Sequence, residues 1–233
     1  MTADDAPGDA KNGAPGDAKN GAKDGNRLLE RAYELGAPET HIGFYRDFAD
    51  SYDTTFASGL GYIYPATIVA SLATQNRQEG GILDIGCGTG LVATAIRKAN
   101  PVAVIDGVDI SPEMLEKARE KGDYRELMQA DLTSDFSHIR TDYAAIVSAG
   151  TFTYGHLGPE LIPDLLALCR PGAVAALGVN SGFFAEQGGQ AVLDALHAAG
   201  RIAQVRVDEV PIYDGRDMAH AGDTALILGF SII

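Results

Sequence analysis

Ile82-Leu83-Asp84-Ile85-Gly86-Cys87-Gly88-Thr89-Gly90 is an apolar run broken by one acid and followed by three glycines in five residues. It reads as a buried strand that ends in a sharp turn, with a helix over 91–99 starting at once. Glycine lets the backbone turn tightly and lets another molecule approach the main chain, while the first turn of the helix offers unpaired N–H groups. A ligand is therefore expected on this turn.

Downstream, short apolar runs at 103–108, 127–130, 144–148 and 174–179 predict further strands. Helical patterns at 112–121 and 160–168 and one polar loop separate them. Strand–helix alternation at this spacing implies a parallel sheet with helices on both faces. The end differs: 202–213 and 225–233 are longer β-like segments joined by a loop bearing Gly and Asp, which predicts a closing antiparallel hairpin. Together they make an α/β, seven-strand, mostly parallel sheet over residues 80–233.

Upstream, residues 27–79 carry three helical patterns. The first holds Leu28, Leu29, Ala32, Tyr33 and Leu35 and stops at Gly36 and Pro38; the second, about 40–57, repeats Ile42, Tyr45, Ala49, Tyr52 and Phe56; the third starts near Pro65 and runs to about 77. Residues 1–26 lack Leu, Ile, Val, Phe and Tyr and repeat APGDAKNG from Ala6 and again from Ala14. Such a segment buries too little apolar surface to offset the entropy of ordering it, so it is expected to be a disordered tail.

The whole chain has 233 residues, with 18 Lys+Arg against 32 Asp+Glu, a formal net charge of −14. That field repels phosphate backbones and anionic lipid, which argues against nucleic acid and membrane surfaces as partners. Two cysteines far apart, Cys87 and Cys169, define neither a disulfide framework nor a zinc site, and fit a reducing cytoplasm. Cys169 reads as core on an apolar helix face. No apolar leader and no run of ~18 apolar residues appears, so a soluble, cytoplasmic protein is expected.

In open α/β sheets ligands sit at the carboxyl ends of the strands, so later strand ends should add to the site. The second strand ends at Asp109, 19 residues beyond Gly90. At that distance a carboxylate can accept from both ribose hydroxyls of an adenosine. Ile110 and Met114 can sandwich an adenine, and Asp131, within Ala130-Asp131-Leu132, can accept from an exocyclic amine. Each acid alone also fits a solvated loop or a turn. Their registration at successive strand ends favours the ligand reading.

Residues 82–90, Asp109-Ile110-Ser111-Pro112-Glu113-Met114-Leu115 and Gln129-Ala130-Asp131-Leu132 resemble the signatures of class I S-adenosylmethionine-dependent methyltransferases. The resemblance covers about residues 40–233 and implies a Rossmann-like fold with an N-terminal helical lid. In the nicotinamide pattern the third glycine would fall at Leu91, and that pattern lacks an acid in the place of Asp84. The resemblance implies that Asp84, Gly86, Cys87, Gly88 and Gly90 hold the methionine moiety, Asp109 the ribose, and Ile110, Met114, Asp131 and Leu132 the adenine, with Ala149 also against the cofactor. Phe48 to Asp53 and Val207 to Tyr213 are similar to small-molecule methyltransferases, a group that includes the methyltransferase-like protein of the Williams-Beuren region. In that group an aromatic of the lid helix reaches the cofactor's carboxylate. Tyr45 and Tyr52 are the candidates, with core packing the alternative.

Methyl transfer from a sulfonium is an in-line displacement, so the enzyme mainly aligns the nucleophile and excludes water. A base is needed only where the acceptor loses a proton. His156, in the segment after the fourth strand, is the first candidate and His41 the second, and with Tyr45 they form the candidate catalytic set. Neither the Asn/Asp-Pro-Pro-Tyr/Phe motif of nucleic-acid and glutamine N-methyltransferases nor the carboxylate arrangement of the metal-dependent catechol type is present. A small-molecule acceptor and no metal are expected. Phe152, Tyr154, Phe183 and Phe184 could wall the acceptor pocket, with packing of the helix after the fifth strand the alternative for Phe183 and Phe184. Cys87 as a nucleophile is rejected for want of a neighbouring His. The competing readings are a non-catalytic protein that binds S-adenosylmethionine or S-adenosylhomocysteine and, less in keeping with the glycine spacing, a dinucleotide oxidoreductase.

Overall fold

The computed structural model describes residues 52–53, 60–215 and 222–233. The expected tail and the first two expected helices, with His41 and Tyr45, lie outside these residues apart from Tyr52 and Asp53. The elements are α1 (Tyr64–Ala73), β1 (Ile82–Ile85), α2 (Leu91–Ala99), β2 (Ile105–Asp109), α3 (Pro112–Lys121), β3 (Glu126–Gln129), β4 (Tyr143–Phe152), α4 (Ile162–Leu165), β5 (Cys169–Asn180), α5 (Ser181–Glu186), α6 (Gly189–Ala198), β6 (Ile202–Pro211) and β7 (Thr224–Ile232).

The strands form one sheet in the order β3-β2-β1-β4-β5-β7-β6. β1 to β5 are parallel, and β7 runs antiparallel between β5 and β6. This is the mixed seven-strand sheet that the alternation and the closing hairpin predict. The chain order reverses at β1, which pairs with β2 on one side and β4 on the other. That switch point opens a crevice at the carboxyl end of β1, which places the Gly86–Gly90 turn at its mouth.

All four residues of β1 are buried. Leu83 and Ile85 join a core with Leu165, Leu168, Leu193 and Leu196, while Ile82 joins the opposite core with Tyr64, Ile68, Val92 and Ile96. Side chains alternate along a strand, so Asp84 lies on the Ile82 side. α1 is pinned there: the Tyr64 hydroxyl donates to the Leu226 carbonyl at 2.8 Å. β5 admits it because residue 178 is glycine, where a Cβ would stand 2.4 Å from the Tyr64 hydroxyl.

Local chemistry explains the helix ends. Ser111 caps α3 by accepting from the Met114 N–H, Pro112 takes the first turn, and Gly122 closes it in the left-handed region with φ 70°. The third upstream helix spans Tyr64–Ala73, ending short of residue 77. Gln75 instead donates to the Ala175 carbonyl of β5.

Three expectations are corrected. The helix expected over 160–168 is a 3-10 turn Pro159–Leu161, then α4, then a second 3-10 turn Leu166–Leu168. Pro163 has no N–H to donate to the preceding turn, so the helix restarts around it. β4 runs on to Phe152, with irregular pairing after Ser148 and Gly150 at φ 81°. Cys169 opens β5, half-buried, and is not on a helix face. Among the described residues no helix is long and apolar enough to cross a membrane.

Candidate active site

The Gly86–Gly90 turn works as three left-handed hinges, with φ 61° at Gly86, 52° at Gly88 and 91° at Gly90. Each glycine meets different surroundings. At Gly86 a Cβ would stand 2.1 Å from Thr151 Oγ1 of β4, whereas at Gly88 it would meet nothing within 4 Å. Gly86 is glycine because β4 crowds it. Gly88 presents bare backbone to an open cleft of about 1120 Å³, including its solvent-filled mouth.

Asp109 braces the turn. Its Oδ2 accepts from the Gly88 N–H at 2.8 Å and its Oδ1 from the Ser111 N–H at 2.9 Å. A carboxylate has about four acceptor sites, so acceptor capacity remains for a ligand's hydroxyl. Burial raises the Asp109 carboxyl's pKa, and the N–H groups of Ser111, Gly88 and Ile110 oppose that rise.

Ile110, Met114 and Leu132 line the cleft beside Asp109, and Met114 and Leu132 are buried. They leave an apolar slot. Asp131 lines it too, but its Oδ1 already accepts from the Thr133 N–H at 2.9 Å and hydroxyl at 2.6 Å. It is therefore a turn residue and a cleft residue at once, with Oδ2 the oxygen left for an amine.

Asp84 is placed otherwise than as a wall of the cleft. It is fully buried beneath the turn, where the Tyr124 hydroxyl donates to Oδ2 at 2.7 Å and Oδ1 has no partner. Burial pushes its carboxyl up to about 7; the Tyr124 hydrogen bond works against this and the Asp109 charge adds to it. Cys87 lines the cleft, and burial, then Asp109 and Asp84, push its thiol well above the ordinary range. A thiol held neutral is a poor nucleophile, in keeping with the reading from sequence.

His156 and Ala149 line the same cleft from the β4 side, with Tyr52 and Tyr62 also against it. His156 Nδ1 lies 3.0 Å from the Tyr154 carbonyl. That contact selects the tautomer with hydrogen on Nδ1 and leaves the lone pair on Nε2. The aromatic wall expected from Phe152, Tyr154, Phe183 and Phe184 is not found: none of the four lines the cleft. Phe152 is fully buried in the core, and Tyr154 packs edge-on against Phe183 at 5.0 Å. β4 is longer than its apolar run and takes Phe152 into the core, while Phe183 and Phe184 are buried on α5.

Sequence reasoning missed Asp53, Thr89, Lys121, Tyr62 and Tyr124. Asp53 accepts from the Thr89 hydroxyl at 2.6 Å and pairs with Lys121. It therefore ties the segment carrying Tyr52 to the glycine turn and to the end of α3. No spacing announces this contact, since residues 53, 89 and 121 meet only through the fold. Among the described residues no group of three or more His, Cys, Asp or Glu could hold a metal ion.

Residues 82–172 match a methyltransferase domain family. With the sheet order and the glycine turn, this places the chain among the class I S-adenosylmethionine-dependent methyltransferases, whose cofactor is S-adenosylmethionine. Methyltransferase-like protein 27 of Homo sapiens is 32% identical over 166 residues, covering 68% of this chain and 66% of that protein. Trans-aconitate 2-methyltransferase of Azoarcus sp. is 34% identical over 96 residues, covering 41% and 37%. Ribosomal RNA small subunit methyltransferase C of Haemophilus influenzae is 36% identical over 82 residues, covering 35% and 25%. The chain thus spans about two thirds of the first relative and much less of the others. Solved structures share the fold, among them the following two. A protein from Methanococcus maripaludis has TM-score 0.57 at 17% identity, covering 82% of this chain and 93% of that one. A plantazolicin methyltransferase in complex with SAH has TM-score 0.53 at 14% identity, covering 94% and 98%.

The residues present fit that cofactor. Gly88 leaves bare backbone where a ligand can lie, Asp109 keeps acceptor capacity beside it, and Ile110, Met114 and Leu132 give the cleft an apolar stretch next to both.

Proposed function

We propose that this protein transfers a methyl group from S-adenosylmethionine to a small-molecule acceptor. The observation that carries the reading is Asp109, locked by one oxygen onto the glycine turn and by the other onto the start of α3, at the floor of a cleft lined on its far side by His156. When bound, the cofactor supplies an electrophilic methyl on a sulfonium. The chain's residues supply alignment: Asp109 orients the ribose, Ile110, Met114 and Leu132 hold the purine, and the Gly86–Gly90 backbone receives the amino-acid end. Tyr52 covers the cleft from the Asp53 tether and keeps water out. His156 Nε2 accepts the proton of an acceptor O–H, N–H or S–H as the bond to carbon forms. Trans-aconitate methylation by a relative favours a small acceptor; ribosomal RNA methylation by another favours a large one. The net charge of −14 supports the small acceptor, because an RNA backbone would be repelled. Free Cys87 and Cys169 fit a cytoplasmic setting.

The test is calorimetry with S-adenosylmethionine, S-adenosylhomocysteine and NAD, then transfer of isotopically labelled methyl into metabolite extracts and into RNA. Binding of the first two with label in a metabolite is expected. Binding without transfer to anything would make this a sensor of the cofactor, and label in RNA would overturn the small-molecule reading.

A further inference from the structure

We infer that Tyr124 is a positioning residue for the cofactor: its ring carries the glycine turn, and its hydroxyl fixes the Asp84 carboxylate beneath it. The inference rests on the proposed cofactor site.

Two glycines make room for this ring. A Cβ at Gly90 would stand 3.0 Å from Tyr124 Cε2, and one at Gly107 would stand 2.9 Å from Tyr124 Cε1 and equally close to Cys87 Sγ. Gly107 is in the middle of β2 and has no unusual φ, so close approach is what explains it. The ring thus lies between β2 and the turn that starts α2. Its hydroxyl reaches Asp84 at 2.7 Å.

The other buried carboxylate of the sheet shows what ordinary satisfaction looks like. Asp106 receives the Arg125 guanidinium and the Tyr143 hydroxyl. Asp84 has one donor, a neutral phenol, and an oxygen with no partner. Buried polar groups are rarely left this way without a functional reason. A carboxylate one layer below a site for a cation supplies negative charge that bonds to the backbone cannot. Tyr124 is the group that keeps it ionisable: the Asp109 charge opposes ionisation of Asp84, the neutral Cys87 thiol adds no charge, and the Tyr124 hydroxyl favours it.

The wild-type protein should lose affinity for S-adenosylmethionine as pH falls through about 7, where Asp84 takes up its proton. Tyr124→Phe keeps the ring and removes the donor. The midpoint should then rise by about one pH unit or more, and affinity at pH 7 should fall about fivefold. Asp84→Asn should flatten the profile, and adding Tyr124→Phe to it should leave the flat profile unmoved. A purely structural tyrosine would change thermal stability and not the midpoint. If the wild type binds S-adenosylmethionine with no pH dependence between 6 and 8.5, or if Tyr124→Phe has the wild-type midpoint, the inference is overturned while the site stands. If the wild type binds no S-adenosylmethionine at any pH, the site itself is wrong and the inference falls with it.

Discussion

Asp109→Ala removes two contacts that the structure resolves, the acceptors for the Gly88 and Ser111 N–H groups at 2.8 and 2.9 Å. A hydrogen bond to a charged group contributes about 1.5–3 kcal/mol. Asp109 is half-buried at the cleft floor, so water can replace part of what its carboxylate gave the backbone. The stability cost should therefore sit near the low end, about 1–2 kcal/mol. Binding loses more, because the ribose contact and the posture of Gly88 go together: about 2–3 kcal/mol, or 30- to 150-fold in Kd. Calorimetry with S-adenosylhomocysteine and with its 2′,3′-dideoxy analogue separates the two parts. In the wild type, deleting the ribose hydroxyls should cost at least tenfold, and in Asp109→Ala it should cost almost nothing. A folded Asp109→Ala protein that still discriminates the two ligands as the wild type does would refute the ribose assignment.

His156→Ala should lower kcat by about 10²- to 10⁴-fold with cofactor Kd unchanged, as for a lost general base; normal turnover makes His156 a bystander. Asp84→Asn should stabilise the protein more at pH 8 than at pH 5. The Asp84 pKa is raised on folding, so its stability penalty grows as pH rises from the ordinary carboxylate range to about 7 and is full above it, worth a few kcal/mol. Thermal melts across pH check this, and equal melting shifts at both pH values would contradict it. Asp53→Ala and Thr89→Val should each raise cofactor Kd about five- to thirtyfold, and the double variant no further, because both break the same 2.6 Å bond; additive losses would show that the tether acts otherwise.

Much of the fold is legible along the chain. β1, α2 and α3 have the residues expected of them, Ile82–Ile85, Leu91–Ala99 and Pro112–Lys121, because each is bounded by its own local chemistry. Glycines end the strand, and Ser111, Pro112 and Gly122 frame α3. Elements whose ends depend on neighbours came out differently. β4 continues to Phe152 because β5 is there to pair with it, as the Phe152 and Val179 register shows. That extension puts Phe152 in the core and away from the cleft.

The site divides in the same way. The glycine turn, the strand-end acids Asp109 and Asp131 and the apolar residues beside them are legible along the chain, since all are set by position relative to a strand end. It takes the folded chain to put Asp84 beneath the turn and not in the cleft, to bring Tyr124 to it from 40 residues away, and to close Asp53 on Thr89 across 36. The physical reason is that a hydrogen bond between distant residues needs both partners brought within about 3 Å. Sheet order and side-chain alternation supply that nearness, and no local propensity encodes it.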